Sequence, residues 1–183
     1  MIELSPSEVL EKLKLGNERF ARDGGFSGDA SKEKIKDLAE NGQSPLAVVV
    51  ACSDSRVVPE AIFSSGAGEL FVVRTAGNVV GESETGSIEY AVRHLGVKLV
   101  IVLGHTHCGA IEAAIEGVTH GHVGVITREI IESTRDMSGG DDLCERNVVR
   151  QVAKVKKTFG EVSVIGGIYD LNSGKVGWVC RSW

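Results

Sequence analysis

Residues Leu46 to Arg56 read L-A-V-V-V-A-C-S-D-S-R, and no other stretch constrains the chain as much. Its uninterrupted run of leucine, small and β-branched residues suits a strand covered on both faces, as in a parallel sheet. The run stops at Cys52, Asp54 and Arg56. A thiol, a carboxylate and a guanidinium therefore stand at the carboxyl end of a central strand, where open α/β sheets place their ligands. The pattern occurs once more: Lys98 to Leu103 forms a second apolar strand, and Gly104-His105-Thr106-His107-Cys108-Gly109 follows it. Two strand ends each deliver a cysteine, and one adds histidine. Together they read as a metal site.

Around these strands the punctuation predicts alternating helices and strands. Ser5, Pro6 and Glu8 form a helix start with a capping box, and Val9, Leu13 and Phe20 share its apolar face up to Asp23-Gly24-Gly25. Ser31 caps a second helix through Ile35, Leu38 and Ala39, closed by Asn41-Gly42. Pro59 opens a short helix through Phe63, and Glu69 to Arg74 is a strand with Thr75-Ala76-Gly77-Asn78 as the loop beyond it. Ile88, Ala91, Val92 and Leu95 mark a helix from about Ser83, with Gly96 as its cap. Another begins around Cys108 and carries Ile111, Ala114 and Ile115. Val123, Ile126, Ile130 and Met137 sketch a further helix, broken by Ser138-Gly139-Gly140. Asp141 or Asp142 caps the next, with Val148, Val149, Val152 and Val155 on one face. Val162 to Ile168 and Lys175 to Cys180, joined by the turn Asn172-Ser173-Gly174, form a hairpin. The expected fold is α/β: about four parallel strands plus an antiparallel edge strand, flanked by helices.

With 183 residues the chain fits one domain, an amino-terminal helical arm over 1–42 and an α/β core over 43–183. A formal charge of -5 gives no electrostatic reason to expect nucleic acid or an anionic membrane as partner. The amino terminus has neither the basic leader nor the apolar segment of a secretory signal, so a cytoplasmic location is expected. In that setting Cys52, Cys108, Cys144 and Cys180 point to metal ligation or burial rather than to disulfides. No C-x-x-C pair is present, which argues against a self-contained structural zinc ribbon.

Zinc accepts thiolate sulfur and imidazole nitrogen near tetrahedral angles, and a catalytic site gives it three protein ligands and one exchangeable position. His105 and Cys108 have the short spacing of a chelate, with Cys52 as the third ligand. Such a soft set suits one zinc ion per chain better than magnesium, calcium or manganese. His107 competes with His105, but it adjoins Cys108, and neighbouring side chains in an extended loop point apart. Asp54 lies two residues from both Cys52 and Arg56, which in an extended loop puts all three side chains on one side. Held by the planar fork of Arg56, Asp54 can accept a hydrogen bond from a metal-bound water. It can instead occupy the fourth position itself and exclude water. Cys144 and Cys180 are expected to be structural thiols.

C-S-D-S-R at 52–56, R-T-A-G-N at 74–78, S-I-E-Y-A-V at 87–92 and G-H-T-H-C-G-A at 104–110 together resemble a β-class carbonic anhydrase. The similarity extends to G-N-E-R-F at 16–20 and, weakly, to N-V-V-R-Q-V at 147–152. It implies reversible hydration of carbon dioxide to bicarbonate and a proton by attack of a zinc-bound hydroxide. Cys52, His105 and Cys108 resemble the ligands, and Asp54 and Arg56 the catalytic dyad. Gln43, Phe71, Tyr90 and Gly109 match substrate-binding positions, and Ala76 stands where plant-type members have valine. The resemblance also implies a homodimer or higher homo-oligomer with the pocket at the dimer interface. Two thiolates cancel the formal charge of the ion. Its water should therefore be less acidic than in a three-histidine site, where the pKa is about 7, and activity should climb above neutral pH. Carbon disulfide or carbonyl sulfide hydrolysis on the same scaffold is an alternative, as is a non-catalytic zinc-containing binding or sensing protein.

Overall fold

The computed structural model describes residues 4–134 and 142–182. Five strands form one sheet: β1 Ala47–Cys52, β2 Leu70–Thr75, β3 Leu99–His105, β4 Ser163–Tyr169 and β5 Val176–Ser182. Their spatial order is β2-β1-β3-β4-β5. The first four are parallel and β5 pairs antiparallel with β4, with a register shift at Gly166/Gly167. The expected α/β class and antiparallel edge are both present. β3 runs two residues beyond its expected end, because pairing with β4 continues to His105↔Tyr169. His105 is thus a strand residue and inherits the rigidity of the sheet.

Strand alternation sorts the core into two layers. Ala47, Val49 and Ala51 of β1 and Leu99, Ile101 and Leu103 of β3 face one side. There they meet Val9, Leu10 and Leu13 of helix α1 Pro6–Asp23, and Ile62 and Phe63 around helix α3 Pro59–Ile62. Val48, Val50, Val100 and Val102 face the other side. They pack on Ile88 and Ala91 of α4 Glu82–His94 and on Val148, Val152 and Val155 of α7 Leu143–Thr158. β1 is followed by a helix on one face and β2 by a helix on the other, while β2 and β3 flank β1 on opposite sides. The carboxyl ends of β1 and β3 therefore open a crevice at the point where strand order reverses.

Local capping follows the expected residues. Ser5 and Glu8 close a reciprocal capping box on α1, and the Ser31 hydroxyl accepts from Lys34 N at the start of α2 Lys32–Asn41. Asp142 caps α7, accepting from the N–H groups of Cys144 and Glu145. The helix expected over Val123 to Met137 is α6 Val123–Thr134; Met137, the break at Ser138-Gly139-Gly140 and Asp141 lie outside the described residues. The two amino-terminal helices differ in anchorage. α1 buries three large apolar side chains, each contributing roughly 1.5–3 kcal/mol, whereas α2 buries none.

α1 reaches the core through one close approach. A Cβ at Gly16 would lie 2.0 Å from the carbonyl oxygen of Phe63, which is backbone and has no rotamer to yield. Gly16→Ala is expected to destabilise the chain by about 1–3 kcal/mol or more, read from the urea midpoint. An unchanged midpoint would mean that α1 does not sit on α3 in solution.

Candidate metal centre

The Cys52 sulfur, an imidazole nitrogen of His105 and the Cys108 sulfur all lie within 4.8 Å of one another. Cys52 ends β1, His105 ends the neighbouring β3, and Cys108 is the N-cap of helix α5 Gly109–Ile115. The residues are 4%, 0% and 3% exposed, so solvent is excluded from all three ligand positions. Val79, Ile111, Ala114 and Ile130 complete an apolar shell around the sulfurs. His107 is not in this group. It turns away at a positive φ of 54°, and its carbonyl accepts from Arg56 Nη2 at 3.1 Å.

The imidazole is set for ligation. His105 Nδ1 lies 2.9 Å from Thr106 O, so this nitrogen carries the proton and donates it. Nε2 then presents a lone pair. Among the described residues it is one of two buried side-chain polar atoms with no hydrogen-bond partner. Such an atom is costly unless something satisfies it, and a cation held jointly with two thiolates does so. The donor set fits zinc.

Charge in the cluster follows contact. The neighbouring Cys108 thiol pulls Cys52 below the usual thiol range, to about 4, and the same contact, together with burial, holds Cys108 above it. Burial pushes His105 down, but the Cys52 sulfur, the Thr106 carbonyl and the Asp54 carboxylate together outweigh it and hold the imidazole above its usual value. Zinc binds thiolate and neutral imidazole, so its uptake must displace the proton of Cys108 and any that His105 retains, whereas Cys52 has little to give. Apparent affinity should therefore rise with pH. Calorimetry of zinc uptake by chelator-stripped protein, in two buffers near pH 7, is expected to show roughly one to two protons released per ion. Release of none would place the metal elsewhere.

Asp54 and Arg56 close on each other. Arg56 donates from N and Nε to Asp54 Oδ1, both at 2.9 Å, and from Nη2 to Oδ2 at 2.7 Å. The guanidinium holds the Asp54 carboxyl well below the usual carboxylate range. Oδ2 is 4.0 Å from His105 Nε2, so the carboxylate borders the metal position while anchored to Arg56. The loop is not the extended segment that the spacing suggested. It turns after Asp54, with Val57 N donating to Asp54 O at 3.0 Å, and this turn brings Arg56 back onto the carboxylate.

Two supports carried no signal by themselves in the residue pattern. Arg74 on β2 donates from Nε to Cys52 O at 3.1 Å and from Nη2 to Asp54 O at 2.7 Å, tying down the backbone of the ligand loop. The Cys52 sulfur accepts from Gly77 N at 3.2 Å and from Asp54 N at 3.4 Å. Arg74 lay inside a recognised motif, but its target is two carbonyl oxygens, which no side-chain spacing reveals.

The remaining predicted site residues divide between the two ends of the sheet. Ala76 follows β2, whose Thr75 pairs with Cys52, and Gly109 follows Cys108, so both border the centre. Gln43 precedes β1 and lines a groove of about 580 Å³ with Ile35, Leu38, Gly68, Tyr90 and Leu95. Phe71 pairs with Val48 and its ring lies 6.2 Å from that of Tyr90. Within one chain, Gln43, Phe71 and Tyr90 are not brought to Cys52. Cys144 is part-buried beside the apolar shell, where burial pushes its thiol up to about 11, and burial also raises Cys180.

The sequence model of the carbonic anhydrase family matches residues 47–176. Carbonic anhydrase 2 of Mycobacterium tuberculosis is 37% identical over 190 residues, spanning 93% of this chain and 91% of the relative. The carbonic anhydrase of Pseudomonas aeruginosa is 35% identical over 184 residues, spanning 86% of this chain and 82% of the relative. Among solved structures, the Coccomyxa β-carbonic anhydrase in complex with acetazolamide superposes with a TM-score of 0.72 at 26% identity, covering 100% of this chain and 89% of its own. No helix of the described residues is long and apolar enough to cross a membrane.

Proposed function

The chain belongs to the β-class carbonic anhydrases, and from that premise we propose that its centre at Cys52, His105 and Cys108 is where carbon dioxide is hydrated reversibly to bicarbonate and a proton. The observation that carries this reading is the buried, otherwise unpartnered Nε2 of His105 on an imidazole that has a ring nitrogen within 4.8 Å of both thiol sulfurs. When bound there, zinc lowers the pKa of a coordinated water and so supplies hydroxide near neutral pH.

The chain's own residues do the rest. Arg56 keeps Asp54 ionised and fixed in direction. Asp54 accepts a hydrogen bond through the remaining lone pair of Oδ2, aiming the nucleophile's free lone pair at the substrate carbon. Ala76 and Gly109 border the space that the substrate enters, and Val79 and Ile111 exclude bulk water behind the ligands. Gln43, Phe71 and Tyr90 reach a centre only if a second copy of the chain brings them. The half-exposed Ile35 and Tyr90 on the Gln43 groove suit such a homo-oligomer, a dimer at least. An active monomer in analytical ultracentrifugation would overturn the shared pocket.

Stopped-flow hydration of carbon dioxide, on protein whose zinc content has been quantified, tests the whole reading. Turnover that climbs from about pH 7 to about pH 9 is expected, because two thiolates make the bound water less acidic than a three-histidine site does. Negligible hydration across that range at one zinc per chain would overturn it.

A further inference from the structure

Behind the centre, the apolar face of α7 carries two amides that sheet packing does not require. Asn147 and Gln151 are each 0% exposed and stand one helical turn apart, between Val148, Val152 and Val155. Burying two amides is costly unless their hydrogen bonds are made, and valines on either side show that the sheet accepts apolar residues there. The bonds that they make form a single line. Val80 N donates to Gln151 Oε1 at 3.1 Å, and Gln151 Nε2 donates to Asn147 Oδ1 at 3.3 Å. Asn147 Nδ2 then donates to Gly77 O at 2.8 Å, and Gly77 N donates to the Cys52 sulfur at 3.2 Å.

The line ends on a metal ligand through a residue that needs holding. Gly77 has φ +67°, a conformation that glycine enters freely and leaves as freely. Its N–H is the nearer of the two backbone donors to Cys52. The end of β2 fixes the chain at Thr75, whose carbonyl accepts from Ser53 N, and Asn147 fixes the Gly77 carbonyl. The Ala76–Gly77 peptide between those two points therefore holds its N–H on the sulfur, while Gln151 orients Asn147 and ties down Val80 N beyond it. A side chain at Gly77 would be strained by the positive φ, and its Cβ would press on Ile130 Cδ1 at 2.8 Å and Ala110 Cβ at 3.3 Å.

We propose that Asn147 and Gln151 are positioning residues that hold the Gly77 N–H on the Cys52 sulfur and thereby set the donor strength of that ligand toward zinc. This rests on the reading of Cys52 as a metal ligand. An N–H···S hydrogen bond draws electron density from the thiolate and fixes the direction in which its remaining lone pairs face the ion. Outer partners of this kind alter metal affinity by about 10–100-fold.

The test replaces zinc with cobalt, whose sulfur-to-cobalt charge transfer reports on thiolate donors directly, and measures zinc affinity separately by competition with a chelator. Asn147→Leu removes the donor to Gly77 O. Gln151→Glu sets an acceptor against Asn147 Oδ1 in place of the Gln151 Nε2 donor. It turns the Asn147 amide round and sets oxygen against the Gly77 carbonyl, with almost no change in volume. Val152→Ala on the same helix is the control for lost packing. In both amide variants the charge-transfer band is expected to move to lower energy and zinc affinity to fall about tenfold or more; Val152→Ala changes only the urea midpoint. If Asn147→Leu fails to fold, Gln151→Glu carries the comparison alone. Band and affinity equal to those of Val152→Ala would overturn the proposal while leaving the ligand set intact. A wild-type cobalt protein without the band would remove cysteine ligation and both readings with it.

Discussion

Cys108→Ala is expected to give a folded chain that retains no zinc and hydrates carbon dioxide only at the background rate. Cys108 is the N-cap of α5, yet its side chain makes no capping hydrogen bond, so alanine leaves the helix start without a lost partner. The two large core layers lie elsewhere in the sheet and do not include it. What alanine removes is one of three convergent donors, leaving a thiol and an imidazole that cannot enclose the ion. The loss of affinity should exceed the ~10–100-fold that outer partners cause. Elemental analysis after dialysis, alongside circular dichroism and stopped-flow hydration, checks all three parts. Cys144→Ala belongs in the same experiment as a contrast. Cys144 packs beside the shell but is not among the convergent donors, and that variant should keep its zinc. Full zinc content in Cys108→Ala would dismantle the assignment.

Asp54→Asn should separate metal binding from turnover. The substitution keeps size and shape but withdraws the charge to which Arg56 donates through N, Nε and Nη2. An amide also offers N–H groups where only acceptors fit, toward both the guanidinium and the nucleophile. Since Asp54 contributes no atom to the close ligand group, zinc content should be unchanged while kcat falls about a hundredfold or more. The pH behaviour follows from the sign of the shift. Arg56 holds the folded carboxyl below its unfolded value, so Asp54 contributes stability above the ordinary carboxylate range, and this is lost as pH falls toward the folded value. Across pH 6 to about 9 Asp54 stays ionised, and any titration of turnover in that window belongs to another group. Wild-type turnover in zinc-replete Asp54→Asn would remove the residue from the mechanism.

The sites that the sequence reading located are those in which side-chain chemistry and short spacing coincide. The apolar run ending at Cys52, the His105–Cys108 pair and the caps at Ser5, Ser31 and Asp142 each lie within a few residues of their partners. Local rules suffice there. Asp54 and Arg56 were paired correctly, although for a different backbone reason, since a turn rather than an extended loop joins them. Gln43 and Tyr90 were named as pocket residues, yet the chain lays them on a groove at the other end of β1 from Cys52. Sequence matching identifies a residue type without saying which copy of the molecule it serves.

By itself the sequence determined the α/β class, the antiparallel edge strand and the zinc-type ligand set. Strand alternation, turn residues and soft donor chemistry are properties of neighbouring side chains, and they are written in the letters. The tertiary structure decided that β1 and β3 lie side by side with their carboxyl ends level, which alone turns two distant motifs into one centre. It also decided that the Gly77 N–H and the Arg74 guanidinium serve the Cys52 loop, and that from α7 Asn147 reaches Gly77 and Gln151 reaches Val80. Those contacts join backbone groups, or residues up to 71 positions apart. Every residue but proline carries the same peptide donor, so only the packed chain selects which one meets the sulfur.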